Sequence, residues 1–208
     1  MNNAKIQLSP YELELVTNAD VILTKNSIIA KVYELFGHLA AKMKRQIHGN
    51  PAGFDKEVSD ISPKISKGEN YMGLPYVMLD YPRYFEKENI LAVRTMFWWG
   101  NFFSVGLHLK GKYKLHCEEA IKNGYSLLKQ NNCHISISAD EWQHHFGPDN
   151  YVSVHSLESE QFNDVITAKD FIKIASMLPV AQWGNAEKFI LDNFTRFVKF
   201  PKRQFPKR

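Results

Sequence analysis

Ile90-Leu-Ala-Val-Arg-Thr-Met-Phe-Trp-Trp-Gly-Asn-Phe-Phe-Ser-Val-Gly-Leu-His-Leu-Lys110 reads as two strands joined by Gly100-Asn101. β-Branched and aromatic residues fill both runs, and Gly-Asn between such runs is a two-residue hairpin turn. A turn of that length predicts that Trp99 faces Phe102, Trp98 faces Phe103, Thr95 faces Gly106 and Val93 faces His108. Side chains alternate across a strand, so the two faces can be read separately. One predicted face carries Ile90, Ala92, Arg94, Met96, Trp98, Phe103, Val105, Leu107 and Leu109, an apolar core face interrupted by one arginine. The other carries Leu91, Val93, Thr95, Phe97, Trp99, Phe102, Ser104, Gly106, His108 and Lys110. This second face mixes large aromatics with small and polar residues, the composition of a binding surface.

Helical patterns flank the hairpin. Ser9-Pro10-Tyr11-Glu12 is a capping box with proline at the first helical position. Ile28, Val32, Leu35, Phe36, Leu39, Met43 and Ile47 then recur at helical spacing until His48-Gly49-Asn50-Pro51. Residues 49–75 lack periodicity and are broken by glycines and prolines, so a long loop is expected there. Tyr76–Asp80 reads as a short strand ended by Tyr81-Pro82. Leu115–Gln130 reads as a helix, and His134–Ser138 and Tyr151–His155 as strands. Thr167-Ala-Lys-Asp170 reads as a capping box opening a helix over 171–178, and a last helix is expected over 185–198. Strands grouped between terminal helices predict an α+β domain, with a mostly antiparallel sheet of four or five strands and the 90–110 hairpin at its centre.

A chain of 208 residues with 44% hydrophobic and 23% charged residues fits one globular domain, here residues 1–199, followed by a basic tail at 200–208. The net charge of +4 is concentrated at that end. The last ten residues hold five of the 26 basic residues and no acid; without them 21 basic residues face 22 acidic ones. A folded nucleic-acid-binding surface would carry that charge on the body. Contact with nucleic acid or an acidic protein is therefore expected only through the tail. No run approaches the roughly 18 apolar residues of a membrane span, and Met-Asn-Asn-Ala-Lys-Ile-Gln is no signal peptide. Cys117 and Cys133 lack metal-ligand spacing, so a cytoplasmic protein with reduced, buried cysteines is expected, without membrane contact.

Arg94 is the sharpest single feature. Placed among apolar side chains it needs a carboxylate such as Asp80, or else it serves as a fork for an anionic ligand. Arg83, between Tyr81 and Tyr84, is a comparable anion holder. Asp140-Glu-Trp-Gln-His-His145 puts four metal-ligand types in six residues. On a helix, however, the Asp140/His144 and Glu141/His145 pairs diverge by about 100° and do not converge on one ion. No metal and no cofactor is expected. Lys64, Lys67 and Tyr71 lie in a glycine-containing stretch without the order of a phosphate loop. The ligand site expected from these residues is Arg83, Arg94, Thr95, Phe97, Trp99, Phe102, Ser104 and His108, holding a small, anionic molecule against the hairpin. An enzyme with a His acid/base and an Arg anion holder is the alternative.

Overall fold

The computed structural model describes residues 6–49, 54 and 56–201. Helix α1 (Pro10–Thr17) starts on the expected box: the Ser9 hydroxyl accepts from Glu12 N at 3.3 Å, and the Glu12 carboxylate accepts from Ser9 N at 2.7 Å. Asn18 alone separates it from α2 (Ala19–His48), whose first turn it caps. Ile29, Val32, Phe36, Leu39, Met43 and Ile47 form the buried stripe of α2. A single turn, α3 (Lys56–Ser59), leads into the sheet.

The strands are β1 (Lys64–Tyr71), β2 (Leu74–Phe85), β3 (Ile90–Trp98), β4 (Phe102–Lys110), β5 (His134–Ser136), β6 (Tyr151–Ser153) and β7 (Phe171–Pro179). They form one antiparallel sheet in the order β1-β2-β3-β4-β7-β5-β6. Helices α4 (Lys112–Asn123), α5 (Tyr125–Gln130), α6 (Ser159–Thr167) and α7 (Ala186–Phe197) complete the chain. The α+β class and the central hairpin hold, but the sheet has seven strands rather than four or five.

Two strands account for most of that difference. β1 lies where a loop was expected; it is a polar edge strand without apolar alternation, joined to β2 by Met72 and Gly73 with φ of 50° and 82°. β7 occupies the segment read as a helix. Thr167 ends α6, and Phe171–Pro179 pairs with β4 along its whole length. A strand buried on both faces presents a continuous apolar run, which periodicity does not separate from a helix. β2 also extends past Tyr81-Pro82, accommodating one extra residue between Asp80 and Arg83.

The hairpin differs in one residue, with large effect. The loop is Trp99-Gly100-Asn101, so Trp98 pairs with Phe102, Met96 with Ser104, Arg94 with Gly106 and Ala92 with His108. Gly100 adopts φ +72° as the third residue of a turn closed by Asn101 N donating to Trp98 O, a left-handed position that favours glycine. One residue of slip exchanges the two faces of β4 relative to β3. Leu91, Val93, Thr95, Phe97, Phe103, Val105, Leu107 and Leu109 now share a face, buried beneath α2, α4 and α7. The other face is covered by the irregular 137–150 segment. Phe200 is buried with the main core and lies against Gly124; residues 202–208, which carry most of the basic tail, fall outside the described residues. Among the described residues no helix is long and apolar enough to cross a membrane.

Phe103 is fully buried between Phe97 and Trp183, with ring centroids 5.3 and 5.2 Å away. Phe103→Ala is expected to cost about 3–5 kcal/mol in chemical denaturation. A loss below 1 kcal/mol would place Phe103 on the other face and contradict the register.

Candidate ligand site

The second face of the sheet is arranged in three zones from the hairpin tip to its open end. Nearest the tip, Met78, Met96, Trp98 and Phe102 form a small apolar cluster with Tyr71 and Phe146. In the middle, the small residues Gly106 and Ala175 sit side by side on β4 and β7 and leave a hollow. Arg94, Ser104, His108 and Lys173 surround it, and His144, Phe146 and Tyr151 roof it. The cavity measures about 30 Å³, more than the 10–15 Å³ or so that one water needs. At the open end lies a cleft of about 460 Å³ bounded by Phe85, Lys87, Ile90, Lys110, Glu141 and Trp142. Phe85 belongs to both.

The ionic groups on this face are paired in a definite order. Arg94 grips Asp80 bidentately, Nε to Oδ1 at 2.7 Å and Nη2 to Oδ2 at 3.0 Å. Its Nη1 lies 3.3 Å from His144 Nε2. Arginine only donates, so that ring nitrogen accepts and His144 is neutral there. Burial, with Lys173 and Arg94 nearby, holds the His144 imidazole well below its usual range. His108 Nε2 is 3.0 Å from Glu141 Oε2, and Lys110 Nζ is 2.7 Å from Glu141 Oε1. The hydrogen bond from His108, with the one from Lys110, pulls the Glu141 carboxyl down to about 2, whereas burial pushes the His108 imidazole down despite Glu141. The consistent state is an ionised Glu141 accepting from a neutral His108.

Lys173 is different. Its ammonium donates to two main-chain carbonyls, Glu141 O at 2.7 Å and Gln143 O, and lies 5.7 Å from the Tyr151 ring centroid. Among the described residues no carboxylate pairs with it; Asp140 and Glu141 act only at longer range. Burial and the Arg94 charge push its pKa down to about 7. Lysine in the apolar run Phe171-Ile-Lys-Ile is the signal that could have marked this residue, but reading the segment as a helix hid it.

The covering segment is fastened mostly through its backbone. Lys169 Nζ donates to Ser136 O and Ser138 O at 3.0 and 2.5 Å. The Tyr71 hydroxyl accepts from His144 N and His145 N at 2.7 and 3.0 Å, and Asn150 donates to His145 O at 2.5 Å. The Asp140–His145 stretch forms turns rather than a helix, with Ser138 Oγ accepting from Asp140 N and the Asp140 carboxylate from Trp142 N. No metal-holding group of three His, Cys, Asp or Glu side chains occurs among the described residues.

Of the residues expected at the site, Arg94, Ser104 and His108 line the hollow and Phe102 borders it. Thr95, Phe97 and Trp99 are turned to the helix-covered face, because the three-residue loop reversed the relation between the strands. Arg83 is elsewhere, its Nε donating to Ser62 O at 3.0 Å. Lys173, His144, Glu141 and Tyr151 complete the lining of hollow and cleft and come from segments remote in sequence. Comparison with protein-family models, with curated proteins and with solved structures gives no match.

Asp80 is 7% exposed and its partner Arg94 19%. Arg94→Met strands that carboxylate and is expected to cost about 3–5 kcal/mol, with Arg94→Met/Asp80→Leu recovering much of the loss. Denaturant melts of both variants check this. Equal losses in the two would show that the pairing is not what the fold depends on.

Glu141 supplies a pH signature. Its folded pKa lies below the ordinary carboxyl value of 4.5, so its stabilisation is complete above pH 4.5 and is lost as pH falls toward 2. Wild type should therefore unfold at higher urea than Glu141→Gln at pH 6, with the gap closing between pH 4.5 and 2. A gap independent of pH would show that the carboxylate charge contributes nothing.

Proposed function

We propose that this chain is a cytoplasmic protein that binds a small monoanionic molecule, its anionic group in the hollow and its remainder in the adjoining cleft. The observation that carries this reading is the charge balance. Arg94 is matched by Asp80, and Glu141 by Lys110, while His108 and His144 are neutral. Below pH 7, where it is protonated, Lys173 is left as one buried positive charge without a carboxylate partner, held by two carbonyl dipoles and the Tyr151 ring. A buried charge without a counter-charge is costly, and an anion in the hollow supplies one. The hollow admits a group the size of a carboxylate. Phe85 and Trp142, tilted at 39° with centroids 6.2 Å apart, offer ring surface for an apolar remainder. A cleft of this size falls in the usual range for small-molecule sites.

The test is the shift in melting temperature produced by a panel of carboxylates: formate, acetate, butyrate and benzoate. A ligand at 100 times its Kd adds about 2.7 kcal/mol to stability. Binding should be tight at pH 6, where Lys173 is protonated, and should weaken steadily as pH rises through 7 toward 9. Gly106→Ala places a methyl 3.4 Å from Ala175 Cβ, an ordinary contact that occupies the hollow without disturbing its walls. It should weaken binding at least tenfold, as should Lys173→Met. Undiminished binding in both variants, or no binding by any member of the panel, would overturn the proposal.

The second reading, an enzyme with His108 as acid/base and Arg94 as anion holder, draws on the 3.0 Å contact between His108 and Glu141. That contact orients the imidazole as a base-and-carboxylate pair does in nucleophile-activating sites. Chemical change of a bound carboxylate, lost in His108→Gln while binding is retained, would favour it.

A further inference from the structure

Of the fifteen large apolar side chains that stand exposed among the described residues, nine lie between Ile6 and Leu23. α1 buries no residue at all, and the burial of α2 begins only at Ile29. The first ten residues of α2, about 15 Å of helix, carry Val21, Ile22 and Leu23 into solvent. α1 carries Tyr11, Leu13, Leu15 and Val16 on several sides, interrupted by Glu12, Glu14 and Thr17. A helix of that character is normally enclosed, and an isolated eight-residue helix is marginal in water even when well capped. Yet both of its ends are built: the Ser9–Glu12 box opens α1, and Asn18 ends it while capping α2.

The seven of these side chains that lie on α1 and α2 leave on the order of 700 Å² open, more than the 300–600 Å² of the largest patch on a typical monomer and close to the roughly 800 Å² per partner of a standard stable interface. An anionic lipid surface fits poorly. The arm carries Glu12, Glu14 and Asp20 against the single cation Lys25, which is already paired with Glu69, whereas helices that lie on membranes present lysine and arginine.

We propose that α1 and the first ten residues of α2 are the contact through which two copies of this chain associate. Two arms crossing antiparallel about Asn18 set Leu15 and Val16 of one copy against Ile22 and Val21 of the other. The contact is isologous and closes at two copies, the commonest symmetry of soluble oligomers.

The experiment is light scattering on the full chain at micromolar concentration, with Val16→Glu/Ile22→Glu beside it. Both positions are exposed, so the double variant keeps the monomer fold, which its circular dichroism melt verifies. The wild-type mass is expected at twice the 24.1 kDa of the chain, falling to once that value in the variant. Ala19→Cys, next to the crossing point, should give a disulfide-linked dimer under mild oxidation. A monomeric wild type, a dimer that survives the double substitution, or attachment to phosphatidylcholine/phosphatidylserine vesicles without self-association would each overturn the proposal.

Discussion

Trp99, Gly100 and Asn101 hold the hairpin loop at three residues, and the parity of that number governs what either face of the sheet contains. The loop is fixed at several points: Asn101 N donates to Trp98 O at 3.1 Å, its side chain to Trp99 O at 2.9 Å, and Val180 N to Asn101 O at 3.1 Å. With an odd loop Arg94, Ser104, Gly106 and His108 share a face, and Val93, Thr95, Val105 and Leu107 share the other. β7 inherits the same order through its pairing with β4, which puts Lys173 beside His108 and Ala175 beside Gly106. Because the side-chain period is two, a shift of one residue would separate Arg94 from His108 and drive Lys173 beneath the helices.

The two faces follow different physical rules. The helix-covered face is packed by aliphatic and aromatic side chains, and burial of apolar area stabilises it without directional demands. The opposite face is directional. Its charged groups are desolvated and must satisfy one another, with the surplus met by carbonyl dipoles. The hollow exists because two adjacent positions lack bulk, Gly106 and Ala175, and because the covering segment is held over them from above by Tyr71, Lys169 and Lys173.

Much of the fold could be read from the chain. The α1 capping box, the α2 stripe, the hairpin and the closing helix all stand where periodicity and caps place them. β7 could not, since a strand between two neighbours and between two layers loses its alternation, and Thr167–Asp170 mimics a helix start. β1 could not either, because an edge strand is ordered by pairing that leaves little trace in hydropathy. At the site, the Arg94–Asp80 pair followed from the cost of burying a guanidinium. Ser104 and His108 were found with Arg94 on one face only once the loop length was known. His144 and Glu141 stood out as polar residues, yet their partners come from strands more than 30 residues away in sequence, a relation no local pattern encodes.

Apart from the grip of Glu141 on His108 and Lys110 and the contact of the His144 ring with Arg94, the covering segment is fastened chiefly by main-chain groups: the carbonyls of Ser136, Ser138, Glu141, Gln143 and His145, and the amides of His144 and His145. Such fasteners take no account of which side chain each residue bears. The path of the segment is thus set more by its main chain than by its spelling, with Phe146, packed on Phe102 and Tyr151, the exception. The side chains that supply these fasteners are few, namely Tyr71, Lys169, Lys173 and Asn150, and all but Asn150 stand outside the segment. Substitution on this roof can alter the lining of the hollow without a change in loop length or in the path of the chain.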